Sequence, residues 1–405
     1  MGTETMTGTP SQETTVDSAV TDLRRIPAQQ QPPWHDPVRA RQIGEQLGFA
    51  EPLVRAEDVR NLRALLAAVS LGEAVAVQAG DCAEDPAECT RGYVARKVGV
   101  LELLAGALML ATHKPVVRIG RIGGQFAKPR SAPVERVGGR ELPVYRGHLV
   151  NAPEPDPELR KADPDRMMSA YQASGEVLGH LGWGSGTGGA RLLAPVWTSH
   201  EALVLDYEIP LLRRDVRGDL LLTSTHLPWI GDRTRQVDGA HVALLARVAN
   251  PVACKVGPGM TRDDLLAVCE RLDPDREPGR LTLIARMGEA QVARMLPPLV
   301  GAVRAAGHPV IWLSDPMHGN TVKTADGLKT RFLRTVMSEV RQFQVAVRSA
   351  GGVAGGLHLE TTPDEVTECV PTAAQIEHVG DKYTSFCDPR LNPRQALRVV
   401  SAWLG

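Results

Sequence analysis

The chain has 405 residues, 43% hydrophobic and 23% charged, which is enough for one large domain or two ordinary ones. Its 46 Lys and Arg balance 47 Asp and Glu to a net charge of −1, so no global pull toward nucleic acid or an anionic membrane is expected and any anion site must come from local clustering. Aromatics are scarce at 4% while Gly (39) and Pro (30) are plentiful, so the core must be Val, Leu, Ile and Ala, as in parallel sheets covered by helices.

Residues 1–21 are polar and low in apolar content and are expected to be disordered. Residues 22–37 (DLRRIPAQQQPPWHDP) are held extended by their prolines and read as an arm lying on the body or on a partner subunit. Residues 38–68 carry helical spacing, including Val59, Leu62, Leu65 and Leu66. The arm and helix together form residues 22–70, ahead of a catalytic domain over 71–405.

From residue 74 a rhythm sets in. Apolar runs at 74–79, 115–122, 192–197, 220–225, 251–256, 281–285, 310–313 and 356–359 read as strands, each ending in polar residues, Gly or Pro. Helical segments fall between most of them, as at 97–112, 238–248, 291–306 and 328–349, and Thr261 or Asp263 is placed to cap the helix after the fifth strand. Eight strands with intervening helices is the count that closes a (β/α)8 TIM barrel, an α/β fold; a doubly wound open sheet is the rival but does not favour eight. The glycine-rich runs GWGSGTGG (182–189) and GGVAGG (351–356) read as connections, because the first lacks the spacing, the preceding strand and the Lys-Ser/Thr of a phosphate cradle.

Six cysteines (Cys82, Cys89, Cys254, Cys269, Cys369, Cys387) form no CxxC pair and read as reduced thiols of a cytoplasmic protein. The longest apolar helix-like run, 101–111, carries Glu102 and is too short to span a bilayer.

The strand ends carry the chemistry. The stretch PVIWLSDPMHGNT (309–321) delivers His318 to the rim where a barrel keeps its site. A lone His after a strand is more often structural than ligating. Here Cys82 follows the first strand and Glu360 the last, and Asp388 lies in FCDPRLNP, so a mixed sulfur, nitrogen and oxygen set for a divalent metal is available on one rim. Taken alone, Cys82 reads equally well as a small buried hydrophobe and Asp388 as a turn residue. The same strand ends hold many cations: Arg118, Arg121, Lys128 and Arg130, then Arg233 and Arg235, then Lys255 and Arg286. A cation inside an apolar strand such as VACKV is costly unless paired, so Lys255 and Arg286 are expected to face a buried anion, while Arg118 and Arg235 read as solvated charges. Metal and anion sites together point to a small phosphorylated substrate and to carbonyl chemistry.

These residues resemble the class II (plant-like) 3-deoxy-D-arabino-heptulosonate 7-phosphate (DAHP) synthases, from about residue 32 to the end. The resemblance is carried by QAGDCAED, RIGGQFAKPRS, TSHEALVLDYE, WIGDRTRQVDGAH, NPVACKVGPGM, ARMG, SDPMHGNT, GLHLE and CDPRLNP, in that order. It implies a metal-dependent transferase that joins phosphoenolpyruvate to erythrose 4-phosphate and releases phosphate, at the entry to the shikimate pathway. By carry-over, Cys82, His318, Glu360 and Asp388 are the ligands of a divalent ion such as Mn or Co. Arg121, Lys128, Trp229, Arg233, Lys255 and Arg286 hold phosphoenolpyruvate, Arg130 helps place the erythrose phosphate, and Lys255, Arg233 and Asp232 are the catalytic candidates. The resemblance also implies a homo-oligomer, with a chorismate mutase as a candidate partner. Cys387, beside Asp388, is a candidate for a reversible disulfide with Cys82 when metal is lost.

Two departures stand out. The family more often has Glu where Asp232 stands, which shortens the reach of that carboxylate. The segment between Ser169 and Trp197 is short and glycine-rich, where longer relatives carry a helical hairpin that helps form aromatic amino acid feedback sites. Weak or absent feedback inhibition is therefore expected, as in short forms serving secondary metabolism. The alternatives are an amino-DAHP synthase of an aminohydroxybenzoate-type pathway, a non-catalytic barrel that binds phosphoenolpyruvate, and a metal-dependent phosphosugar aldolase.

Overall fold

The computed structural model describes residues 18–183 and 194–403. Eight parallel strands close into a barrel: β1 (Val75–Gly80), β2 (Val116–Arg121), β3 (Trp197–Glu201), β4 (Leu227–Ile230), β5 (Val252–Val256), β6 (Leu281–Ala285), β7 (Ile311–Ser314) and β8 (Ala354–Glu360). Each strand pairs with its sequence neighbours, and β1 closes on β8. The expected α/β barrel is therefore the observed fold.

Two of the eight strands sit later than the apolar runs suggested. The third was expected at 192–197, but the barrel strand is Trp197–Glu201; residues 192 and 193 lie outside the described part. The fourth was expected at 220–225. Leu220–Leu222 instead pairs antiparallel with Leu212–Arg214 in a small hairpin, and the barrel uses Leu227–Ile230. The fourth is a run of only four residues interrupted by Pro228, and the third fails for a different reason. The true third strand is polar and buried, with Ser199 Oγ donating to the Gly120 carbonyl at 2.9 Å and Thr198 bonded to His226 Nδ1, and such a strand has no hydrophobic signature.

The helices cover the outside. They are α1 (Ser18–Leu23), α2 (Pro37–Phe49), α3 (Ala56–Ser70), α4 (Arg91–Thr112), α5 (Asp165–His180), α6 (Ala240–Arg247), α7 (Arg262–Leu272), α8 (Glu289–Ala305), α9 (Leu333–Ser349) and α10 (Pro393–Ser401). The helical pattern of residues 38–68 is broken into α2 and α3. Asp36 caps the first of these through the N–H groups of Val38 and Arg39, and the chain turns through Pro52 between them. Thr261 caps α7 by accepting the Asp264 N–H at 3.1 Å, one of the two caps expected. The ring of 97–112 starts earlier, at Arg91, with Thr90 as its cap.

One apolar layer lies between strands and helices. A second fills the barrel, where Ala76, Ile119, Ala253, Ile284 and Ile311 meet Val59, Leu62, Leu66 and Val69 of α3. Helix α3 thereby closes the end where the strands begin. Gly279, just before β6, approaches it so closely that a Cβ would lie 2.3 Å from the Arg63 carbonyl oxygen. The opposite, C-terminal rim stays polar and is where a barrel can vary its loops without unpacking its core.

The N-terminal arm lies on the chain's own body. Gln31 donates to the Leu203 carbonyl at 2.9 Å and accepts the Leu205 N–H at 2.9 Å, and Trp34 Nε1 donates to Asp206 at 2.8 Å. Gln30 accepts the Arg130 N–H at 2.8 Å, which brings the arm to the rim. Among the described residues no helix is long and apolar enough to cross a membrane.

Candidate active site at the C-terminal rim

The site begins with three residues far apart in sequence. Cys82 follows β1, Glu360 ends β8, and Asp388 stands in the loop before α10. One donor atom from each lies within 4.8 Å of the others. Gly80 makes this possible: it pairs with both Arg121 and Glu360, and at φ +147 a Cβ would lie 2.5 Å from the Arg121 carbonyl oxygen. His318, the fourth expected ligand, stands on a 3-10 turn after β7 outside that group of three, and touches it through Nε2, 3.2 Å from Glu360 Oε1.

Cys82 and Glu360 are fully buried. Burial, followed by the Cys387 thiol and the Glu360 and Asp388 carboxylates, pushes the Cys82 thiol well above its ordinary value, so a cation is needed to hold it as thiolate. Burial alone would raise Glu360 as well, but His318, Lys128 and Arg331 outweigh it and hold the carboxyl well below the usual range. Thiol, imidazole and carboxylates that cannot all be satisfied by one another form a donor set that fits a divalent ion of intermediate softness.

The cations surround this set. Lys128 Nζ lies 3.2 Å from Asp388 and 3.5 Å from Glu360. Arg121 Nη2 lies 3.1 Å from Glu360, Nε donates to the Asp81 carbonyl at 2.9 Å, and the guanidinium sits over the Trp229 ring at 5.2 Å. Lys255 Nζ lies 3.1 Å from Asp315 Oδ2 and 3.5 Å from His318 Nδ1. Burial, only partly offset by Asp315, lowers the Lys255 pKa. Arg286 binds Asp232 at 2.8 Å, and Arg235 binds the other oxygen of the same carboxylate at 2.9 Å. Arg130 is shared between Glu135 at 2.8 Å and Cys387 Sγ at 3.7 Å.

Some expected residues stand apart. Arg233 is exposed and its Nη2 donates to Ser131 Oγ at 2.6 Å, outside the buried cluster. Arg118, read as a solvated charge, is instead half-buried on the helix side of β2, where it pairs with Glu102 at 3.0 Å. Arg235, also read as solvated, instead shares Asp232 with Arg286.

Several residues went unnoticed in the sequence. Asp315 accepts from His318 Nδ1 at 2.7 Å and from Lys255, so it orients the imidazole and leaves Nε2 facing Glu360. Arg331, fully buried, holds Glu360 Oε2 at 2.8 Å, and Lys329 holds Asp388 at 2.7 Å. Glu201, at the end of β3, is buried with Oε1 unbonded; burial raises its pKa against the pull of Lys255, Lys128 and Arg121. Glu84 accepts the N–H groups of Gly123, Gly124 and Gln125 at 2.8–2.9 Å and so shapes the loop that carries Lys128. Asp315 and Glu84 stood inside quoted motifs. Arg331, in KTRF, had no signal at all.

All six cysteines are free; Cys82 Sγ donates to Asp388 Oδ2 at 3.6 Å and accepts the Asp388 N–H at 3.2 Å.

Residues 18–195 and 192–402 match the model of the class-II DAHP synthetase family. A probable phospho-2-dehydro-3-deoxyheptonate aldolase of Pseudomonas fluorescens is 57% identical over 377 residues, covering 93% of this chain and 94% of that protein. A phospho-2-dehydro-3-deoxyheptonate aldolase of Streptomyces coelicolor is 39% identical over 432 residues, covering 95% and 96%. The solved phospho-2-dehydro-3-deoxyheptonate aldolase of Francisella tularensis superposes with a TM-score of 0.54 at 14% identity, covering 90% of this chain and 97% of that one, a likeness of fold.

Proposed function

The chain belongs to the class-II DAHP synthetase family, and from that premise we propose that it condenses phosphoenolpyruvate with erythrose 4-phosphate and water to give DAHP and inorganic phosphate. The observation that carries this reading is the meeting of Cys82, Glu360, Asp388 and His318 with Arg121, Lys128 and Lys255 on one rim.

Cys82, His318, Glu360 and Asp388 would hold the metal. A divalent ion bound there supplies Lewis-acid polarisation of the acceptor aldehyde. Arg121, Lys255 and Arg286 bind the phosphate and carboxylate of phosphoenolpyruvate, with Trp229 as the surface beneath Arg121; Asp232 aims Arg286. Lys128 neutralises the carboxylates at the junction of the metal and anion sites. Arg130, with Ser131 and Arg233 at the outer edge, places the phosphate of the acceptor. C3 of the enol phosphate attacks the aldehyde carbon, water adds at C2, and the phosphate leaves with its bridging oxygen. Lys255, buried and with its pKa lowered, is the group placed to move a proton.

The finer parts of the reading are these. The ion is Mn, Co or a similar metal. Residues 71–405 form the catalytic barrel, with 22–70 as arm and helices. The enzyme is a homo-oligomer of the cytoplasm, and a chorismate mutase is a candidate partner. Feedback control by aromatic amino acids is weak, consistent with service to secondary metabolism, and is supported by the brevity of the segment between Ser169 and Trp197; the alignment to the Streptomyces relative spans 432 residues, longer than this chain itself. Peroxide acting on metal-stripped protein joins Cys82 to Cys387, and mass spectrometry finding both thiols free would contradict that.

The test is to follow phosphoenolpyruvate loss and free phosphate with erythrose 4-phosphate, before and after EDTA. Metal-restored turnover with one phosphate released per phosphoenolpyruvate is expected. Turnover confined to the imino analogue of erythrose 4-phosphate, or condensation without phosphate release, would overturn the assignment.

A further inference from the structure

Arg286 and His318 sit on neighbouring rim loops, one in the anion cradle and the other in the metal set. Their strands pair only as far as Ala285 and Ser314, with one further bond from the Asp315 N–H to the Ala285 carbonyl at 2.8 Å. Beyond that the sheet no longer sets the spacing of the two loops.

Helix α9 sets it instead. Glu339 is 1% exposed. Its Oε1 accepts the Gly288 N–H at 2.9 Å, two residues after Arg286, and its Oε2 accepts Asn320 Nδ2–H at 2.5 Å, two residues after His318. Asn320 returns the link: its Oδ1 accepts the Glu289 N–H at 3.0 Å, and its Nδ2 also reaches the Pro316 carbonyl at 2.8 Å. On the same face of α9, Ser338 and Gln342 donate to the Glu289 carboxylate at 2.9 and 3.1 Å. The loops themselves touch at two glycines. A Cβ on Gly319 would lie 2.3 Å from the Gly288 nitrogen, and Gly288 has φ +84, so no side chain separates them.

We infer that Glu339 and Asn320 staple the two loops together and are positioning residues that fix the distance between the anion-holding Arg286 and the metal-site His318. This rests on the reading of the rim as a joint metal and phosphoenolpyruvate site. The chemistry explains the residue types. A carboxyl group offers two oxygens, so it takes one N–H from each loop, while the Asn amide both donates to that group and accepts from the second loop. Both oxygens are engaged, which offsets the cost of burying the group and holds the two loops at one spacing. What it fixes here is reacting geometry: a displacement of about 1 Å between metal-held aldehyde and enol phosphate is enough to cost roughly 100-fold in rate.

The test uses the full chain as wild type, Asn320→Ala, Glu339→Gln and the double variant. Co(II) titration of metal-stripped protein, followed by the thiolate-to-cobalt absorption of Cys82, reads metal affinity without any turnover. KM for phosphoenolpyruvate at saturating metal reads the anion cradle, and thermal unfolding reads the fold. Each single variant is expected to weaken metal binding and raise KM together, roughly tenfold or more, at near wild-type unfolding temperature for Asn320→Ala. The double variant should be little worse than the poorer single one, because both cut the same link. Metal affinity and KM within about twofold of wild type in Asn320→Ala, a change in one without the other, or additive losses would each overturn the staple. Should Glu339→Gln fail to fold, Asn320→Ala, at a half-buried position, decides by the same two readings. If wild type itself turns over no phosphoenolpyruvate with erythrose 4-phosphate, the functional reading fails, and the cobalt titration still tests whether the link holds His318.

Discussion

Replacing Arg331 with Met removes one guanidinium and keeps most of the volume. Arg331 is fully buried and lies 2.8 Å from Glu360, which is also fully buried; it further donates to the Pro389 carbonyl at 2.5 Å and to Thr321 Oγ1 at 3.0 Å. At that spacing and an effective dielectric near 20, the pair attraction is about 6 kcal/mol. Breaking a buried pair by removing one partner costs about 3–5 kcal/mol, because the other charge is left behind. Here Glu360 keeps Arg121 at 3.1 Å, His318 at 3.2 Å and Lys128 at 3.5 Å, so the lower end applies. The expected loss for Arg331→Met is therefore about 3 kcal/mol in metal-free protein. A divalent ion bound to the native state gives Glu360 a new partner, so the loss should shrink when Mn is present in excess of its dissociation constant. Urea unfolding of wild type and variant, each in EDTA and in Mn, measures both quantities. The double variant Arg331→Met with Glu360→Gln should lose much less than the two singles added together. A loss below about 1 kcal/mol in EDTA would refute this account of Glu360, since that is what an exposed pair is worth. Equal losses with and without Mn would refute the claim that the ion and Arg331 share Glu360.

Three more expectations can be checked directly. Asp232→Ala releases both Arg286 and Arg235, so KM for phosphoenolpyruvate should rise tenfold or more, the equivalent of about 1.5–3 kcal/mol for a charge-assisted hydrogen bond, and steady-state kinetics showing an unchanged KM would remove Asp232 from the site. Cys82→Ser replaces a soft donor with a hard one, so zinc and cobalt affinity should fall more than manganese affinity; equal losses across the three metals, by competition titration, would exclude a sulfur ligand. Burial, and then repulsion from Asp315, pushes the Glu339 carboxyl up to about 8 from 4.5. A carboxyl whose folded pKa lies above its unfolded value favours folding while protonated, so its contribution is present below 4.5 and is lost as pH rises through 8. Measured against Glu339→Gln, wild type should therefore lose relative stability between about pH 5 and 9, and a flat difference would show that the carboxyl titrates normally.

How much could be read beforehand differs from residue to residue. Strands β1, β2, β5, β6, β7 and β8 were legible because they are apolar runs that end abruptly. Strand β3 was misplaced because most of its residues are polar, as in His200 and Glu201, and β4 because its short run is interrupted by Pro228, while the apolar runs nearby belong to other packing. Cys82, His318, Glu360 and Asp388 were legible because each follows a strand or a proline turn with a ligand-type side chain. Arg331 and Glu339 were not. They act by pairing across the rim, and a partner far away in sequence leaves no local trace.

The order of residues by itself determined the architecture and the rim: eight strand signals, helices between them, and chemically able side chains at the strand ends, because periodicity and chain-breaking residues are local properties. Only the tertiary structure decided which charges are paired. Burial raises the cost of an unmet charge several-fold, so Glu360 among Arg121, Lys128, His318 and Arg331, and Glu339 between two loops, acquire their roles from distances that no spacing along the chain encodes.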